Sequence, residues 1–263
     1  MWNCARINRI DLEWWQIVLA VGGGFLAGII NTLAGNGSAI TLSILTEVLG
    51  LPGGMANGTN RIGVALQTIS SAVTFQRAKV IHWKEQARPI LLMTIGAFAG
   101  IATALWVSNE QFMFVFRYMI VIMLFLLLIK PKRWIQPNPE LPKWPRPVLD
   151  LSLLAMGFYG GFIQMGMGIF FLAVAVLGAR LTLLKANAIK VMVVGIYTVP
   201  AIFLFAWEGK IQWVFGLTIG VGQLLGGWLT ARYAIRFPQI NTWAYYMLIA
   251  AVVLAIASLF NLL

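Results

Sequence analysis

Apolar runs approaching bilayer length recur along this 263-residue chain, and they dictate what it can fold into. They lie at about 14–33, 38–50, 60–76, 88–107 and 112–130, then at about 148–165, 168–178, 187–206, 211–231 and 241–262. A helix needs about 20 such residues to cross the roughly 30 Å hydrocarbon core of a membrane. Charged residues make up only 10% of the chain, against about 25% in a soluble domain, too few to cover a water-facing surface. The alternating segments of about ten residues that mark a membrane β-barrel are absent. The expectation is an all-α polytopic protein, multi-pass in the lipid bilayer.

Between the two sets of five segments stands KPKRWIQPNPELPKWPRP, residues 130–147, holding six of the ten prolines. Proline removes a backbone donor and disfavours helix, so this stretch reads as a linker. It divides the chain into a first transmembrane repeat at 1–130, a Pro-rich basic linker at 131–147 and a second repeat at 148–263. Adding 130 to a position in the first half lands on a similar residue in the second. Ala56 and Asn57 meet Ala186 and Asn187, Ile81 and Trp83 meet Ile211 and Trp213, and Gly96 meets Gly226. With one further residue of shift, Gly35 and Gly37 meet Gly166 and Gly168. Their common order points to an internal repeat.

The net charge of +11 is distributed unevenly. Stretches 77–88, 130–147, 178–190 and 232–240 hold fourteen of the nineteen basic residues. Those near 50–60, 107–112 and 207–211 hold only Lys210, with Arg61 just beyond. The positive-inside rule puts the first set in the cytoplasm and the second outside. The charge is then an orientation signal, and no nucleic-acid partner is expected. Stretch 77–88 falls inside while its mate 207–211 falls outside, so the two halves are inverted. Parity is the same whether the first two segments of each half span fully or are interrupted and re-entrant.

Inverted repeats are an architecture of secondary transporters, which bind substrate near the midplane in interrupted helices at matching places of the two halves. GNGS, residues 35–38 within NTLAGNGSAI, and GMG, residues 166–168, are such interruptions. Irregular backbone at membrane depth is tolerated only where it is buried in protein or lines a cavity. Asn31, Thr32, Asn36 and Ser38 can donate to an anion, and Gly35, Gly37, Gly166 and Gly168 allow close backbone approach. Interhelical hydrogen bonding is the alternative use of such side chains.

ANGTNR, residues 56–61, and ANAIK, residues 186–190, form a second matched pair. Asn57, Thr59, Asn60 and Arg61 in one, and Asn187 and Lys190 in the other, place a cation beside asparagines. That suits anion pairing, although Arg61 or Lys190 at a segment start can also snorkel to headgroups. Gln164 is a further candidate, with Thr198 and Pro200 weaker ones. Gly24/Gly28, Gly96/Gly100, Gly157/Gly161 and Gly222/Gly226 have the four-residue spacing of close helix packing. Glu47, inside a short apolar segment, is a candidate carrier of a coupling proton.

Catalytic chemistry finds little footing. Cys4 is the only cysteine and His82 the only histidine, so no thiol or multi-histidine metal site is expected. No nucleophile–base pair and no phosphate-binding Gly-Lys-Ser/Thr loop occurs. No cofactor is expected. Coupling to a proton or sodium gradient, and the oligomeric state, stay open.

AGIINTLAGNGSAITLSIL followed by GLPGGMANGTNRIGVALQ resembles the first half of TauE/SafE sulfite-exporter (TSUP) transporters. GFYGGFIQMGMGIFFL followed by KANAIKVMVVGIYTVPAIFLF resembles the second half. The resemblance covers nearly the whole chain. It implies a non-enzymatic transporter of the bacterial inner membrane carrying sulfite, a sulfonate or a related organosulfur anion. A channel-like facilitator, or a carrier of another small organic anion, is the alternative. Where the family often has a run of glycines, this chain has Gly35, Asn36 and Gly37, with Asn36 adding a side-chain amide.

Overall fold

Helices occupy the apolar segments in a computed structural model of the chain, which describes residues 13–33, 35–80, 83–128, 143–236 and 253. Among these residues no strand occurs. In the first half, α1 (Trp14–Leu33) is followed by α2 (Gly37–Ser43), which runs into a π-helical turn, Ile44–Val48. Then come α3 (Gly53–Arg77), α4 (Trp83–Trp106) and α5 (Asn109–Leu128). In the second half, α6 (Arg146–Phe162) precedes α7 (Met167–Ala173) with its π turn Val174–Gly178. The helices α8 (Leu183–Trp207) and α9 (Trp213–Ala234) follow. The expected segment at 241–262, apart from Val253, and linker residues 131–142 lie outside the described residues.

Among the described residues, four helices are long and apolar enough to cross a membrane: Trp14–Leu33, Gln86–Trp106, Leu183–Trp207 and Trp213–Ala234. Gly37–Val48 and Met167–Gly178 are shorter apolar helices. At 1.5 Å per residue each reaches roughly 18 Å, well short of a bilayer core.

Four boundaries differ from those expected. The helices α3 and α8 begin at Gly53 and Leu183, several residues before the expected 60 and 187. Small and polar residues lower the local hydropathy there, but Gly53, Ala56, Asn57, Thr59 and Asn60 are packed against protein rather than lipid. The helix α6 begins inside the expected linker, at Arg146, because Pro147 occupies its first turn. A missing N–H is harmless at that position. It also stops at Phe162 rather than 165, because Gln164 turns to φ +61°.

Backbone turns recur at a constant spacing of 130 residues. Leu49 N–H donates to Ile44 O and Ala179 N–H to Val174 O, both at 2.9 Å. Leu51 N–H reaches Leu45 O at 2.8 Å and Leu181 N–H reaches Ala175 O at 2.9 Å. At the ends of α3 and α8, Val80 N–H donates to Phe75 O and Lys210 N–H to Phe205 O.

The partners across the halves are exchanged as well. The helix α1 packs on α9 and α4 packs on α6, while α3 lies against α8 and α9 and α8 against α4. Both outer seams are made by glycines. Gly24 and Gly28 lie on the Ile219 and Gln223 carbonyls, and Gly222 and Gly226 on the backbone of Val21 and Phe25. Gly96 and Gly100 abut Leu154 and Phe158, and Gly157 and Gly161 abut Met93 and Ala97. A Cβ at any of these positions would overlap backbone, so the four-residue spacing serves helix packing, as expected.

The burial pattern is that of a lipid-facing bundle. Leu91, Ile95 and Phe98 of α4 and Leu217, Val221 and Leu225 of α9 point outward in helical register. On α3, Ile69 and Val73 are outward while Asn57, Asn60, Arg61, Gln67 and Ser71 are buried. Polar groups thus concentrate inside, where other protein groups can satisfy them.

Candidate functional site

Each interrupted helix ends by folding its backbone back. Gly35 N–H closes on Ile30 O at 3.0 Å, with Gly35 at φ +80°. Gln164 N–H closes on Tyr159 O at 3.4 Å, with Gln164 and Gly166 both at positive φ. Glycine enters this region without steric cost.

The two breaks meet. Gly168 N–H donates to Gly35 O at 3.1 Å. Their Cα atoms approach so closely that a Cβ on either would overlap the other's backbone. Beside this crossing lies a small cavity lined by Asn31, Gly35, Gln67, Thr68, Gln164, Met167, Gly168, Lys190, Val191 and Val194. About 10 Å³ of it is open to the centre of a water molecule, room for about one water. A tetrahedral or pyramidal anion does not fit in this closed arrangement.

Lys190 is 3% exposed. It stands two turns into α8, and its ammonium is taken up by protein groups instead of reaching outward. Its ammonium donates to Thr32 O at 3.1 Å and to Asn187 Oδ1 at 2.7 Å. Thr32 O belongs to the last turn of α1, where free carbonyls and the helix dipole favour a cation.

Around it runs a polar network. Asn31 Nδ2 donates to Gln67 Oε1 at 2.8 Å, and Gln67 Nε2 donates to Thr32 Oγ1 at 2.8 Å and to Ser71 Oγ at 3.2 Å. Gln164 Nε2 donates to Thr198 Oγ1 at 3.2 Å, while Gln164 Oε1 finds no protein partner.

Arg61 makes the corresponding contact from the other half. Fully buried, its Nη2 donates to Gly161 O in the last turn of α6, and its guanidinium stands 5.0 Å from the Phe205 ring centroid. Asn57 Nδ2 donates to Phe162 O at 2.8 Å, covering the next carbonyl. Each interrupted helix therefore ends on a cation supplied by the long helix of the opposite half. Among the described residues, neither Lys190 nor Arg61 pairs with a carboxylate. Arg61 Nε and Nη1 remain without hydrogen-bond partners.

The sequence-derived candidates thus fall into several neighbourhoods. Asn31, Gly35, Gln164, Gly168 and Lys190 line the cavity, with Thr32 and Asn187 bonded to Lys190. Asn60 lies elsewhere, accepting from Thr41 Oγ1 at 2.6 Å and from Gln223 Nε2 at 3.3 Å. Thr59 Oγ1 accepts from Gln212 N–H at 2.9 Å. Gly37 faces Ala27 and Asn31, and Gly166 is the left-handed residue before α7. Asn36 and Ser38 are buried with side-chain polar atoms unpartnered, but neither lines the cavity. Glu47 is exposed on its π turn and lines a separate cleft with Asn109 and Arg117 rather than the central cavity. His82 and Cys4 lie outside the described residues.

Gln67 and Thr68 were not among the candidates, yet both line the cavity. A signal for Gln67 was present: Asn57, Asn60, Gln67 and Ser71 recur at spacings of three, seven and four residues, marking one polar stripe on α3.

Comparison with known proteins follows this geometry. The family model described as "Sulfite exporter TauE/SafE" matches residues 20–259. The chain is 27% identical over 227 residues to "Probable membrane transporter protein ORF9" of Sinorhizobium sp., covering 86% of this chain and 85% of the relative. It is 30% identical over 232 residues to a "Probable membrane transporter protein" of Haemophilus influenzae, covering 85% and 86%. With "Probable membrane transporter protein YfcA" of Escherichia coli K12 the identity is 25% over 214 residues, covering 81% and 79%. The match runs through both interrupted helices and both long polar helices, and the chain belongs to the TauE/SafE sulfite exporter family of membrane transporters.

Proposed function

We propose that this transporter carries a small anion across the bacterial inner membrane by alternating access, and that sulfite, a sulfonate or a related organosulfur anion is the substrate class. The observation that carries the reading is Lys190, a buried ammonium at a polar cavity with no carboxylate paired to it among the described residues. Buried charges are almost always paired. An ammonium has three donors, and two are used on Thr32 O and Asn187 Oδ1. The third is left for a bound anion, with the Asn31 and Gln164 amides nearby.

In this reading residues 1–130 and 148–263 are inverted repeats joined by a cytoplasmic linker at 131–147. Support comes from the turns spaced 130 residues apart, from the exchanged pairings of α1 with α9 and α4 with α6, and from the reciprocal capping by Lys190 and Arg61. The small size of the cavity and the Gly35–Gly168 crossing favour a carrier that occludes its substrate over an open channel. Rocking of one half against the other would open the site, and a proton or sodium gradient would drive it without a bound cofactor.

Proteoliposomes containing the purified protein test this with sulfite, thiosulfate, sulfoacetate and acetate. The expected result is saturable flux of a sulfur oxyanion or sulfonate that responds to an imposed proton or sodium gradient. Equal flux of acetate would overturn the sulfur assignment, and unsaturable flux would overturn the carrier.

A further inference from the structure

A groove of about 360 Å³ lies apart from the central cavity, between the N-terminal turns of α4 and α6 and the π turn after α7. Arg88 and Arg146 stand at its mouth with Asp150, and its deeper wall is formed by Leu149, Leu153, Phe171 and Ala175. Arg88 and Asp150 pair through two hydrogen bonds. Arg146 forms no salt bridge among the described residues, so two arginines and one aspartate leave one net positive charge at the mouth.

Polarity changes with depth along α6. From Arg146 to Leu153 the helix advances about 10 Å, from an exposed cation to apolar groups. Trp144, whose ring packs beside Gly178 and whose backbone N–H donates to Gly178 O at 3.0 Å, marks the same level as the arginines. Tryptophan and arginine together at a helix start are an interfacial signature.

The two halves differ in side-chain size at this wall. In the first half, Ile40 and Ile44 lie over Gly23 of α1 and join a core cluster with Leu45 and Ile219. Val174 and Ala175 stand 130 residues after Ile44 and Leu45, and at Leu45's counterpart the smaller Ala175 leaves space. We propose that this groove binds one anionic phospholipid, its phosphate at Arg146 and one acyl chain along Leu149, Leu153 and Phe171. Basic pockets between membrane helices on the cytoplasmic side take such headgroups. A soluble anion would have no use for the apolar wall.

Native mass spectrometry of the full-length protein in detergent tests the proposal with dioleoyl phosphatidylglycerol, dioleoyl phosphatidylcholine and glycerol 3-phosphate as probes. One phosphatidylglycerol per chain should be retained at least tenfold more tightly than phosphatidylcholine. Arg146→Gln, at an exposed position, should lower that preference about tenfold, the loss of one charge-assisted hydrogen bond. Ala175→Leu, which fills the groove, should reduce retention of both lipids. Equal retention of the two lipids, displacement by glycerol 3-phosphate, or no effect of Arg146→Gln on the preference would each overturn it. Because Arg146→Gln does not touch the core, the test stands even where Ala175→Leu fails to fold.

Discussion

Replacing Lys190 with glutamine separates a substrate-binding cation from a helix cap. In the closed protein the ammonium spends two donors on Thr32 O and Asn187 Oδ1 and has a third available at the cavity. A charge-assisted hydrogen bond to an anion contributes about 1.5–3 kcal/mol. At 1.4 kcal/mol per factor of ten, its loss weakens binding about 10- to 100-fold. Glutamine keeps an amide donor on the same face of α8, so part of the cap on Thr32 O survives, whereas the charge does not. Calorimetric titration of the purified protein with the transported anion reads affinity, and initial rates in proteoliposomes read Km. Lys190→Arg retains charge but changes donor geometry, and should bind more tightly than the glutamine variant. Unchanged Kd and Km in Lys190→Gln, with a drop only in thermal stability, would refute the substrate role and leave Lys190 as a cap.

Other perturbations test the surrounding structure. Gly35→Ala combines a φ of +80° with a Cβ driven into Gly168 backbone, and should destabilise by about 2–4 kcal/mol from overpacking and left-handed strain; a melting temperature equal to wild type would show that the crossing is loose. Gln67→Leu removes the acceptor of Asn31 Nδ2 and the donor to Thr32 and Ser71, which keep each other and Gly28 O, so a loss of about 1–3 kcal/mol and weaker anion binding are expected in detergent melts and titrations, and a neutral result would remove the network from the site. Reporter fusions after Leu263 and within 137–142 should report opposite sides of the membrane, the first outside; a cytoplasmic signal from both would end the inverted-repeat reading.

Much of the helical order was legible in local chemistry. Hydropathy located α1, α2, α7 and α9 to within a few residues, because each apolar run must be helical to satisfy its backbone in lipid. Asn-Gly clusters and displaced glycines marked both interruptions, since turn chemistry is also local. The starts of α3 and α8 were missed for a related reason. Their polar first turns are dissolved in protein rather than in lipid, and a hydropathy profile has no knowledge of that neighbour. Gln67 lay in a readable polar stripe on α3, but its cavity-facing position depends on α1 and α8 closing around it.

What tertiary structure alone decided is which partner each buried polar group reaches. From sequence, Arg61 and Lys190 look like mates in one anion site. In the fold they serve different broken helices, Arg61 at Gly161 O of α6 and Lys190 at Thr32 O of α1, and only Lys190 opens on the cavity. These contacts join residues 100 and 158 positions apart. They depend on how helices of opposite halves cross, and local propensity holds no record of a crossing. The sequence by itself determined where the chain must break and where its cations sit. The glycine seams set how closely the helices approach, and that approach decided which cation opens on the central cavity.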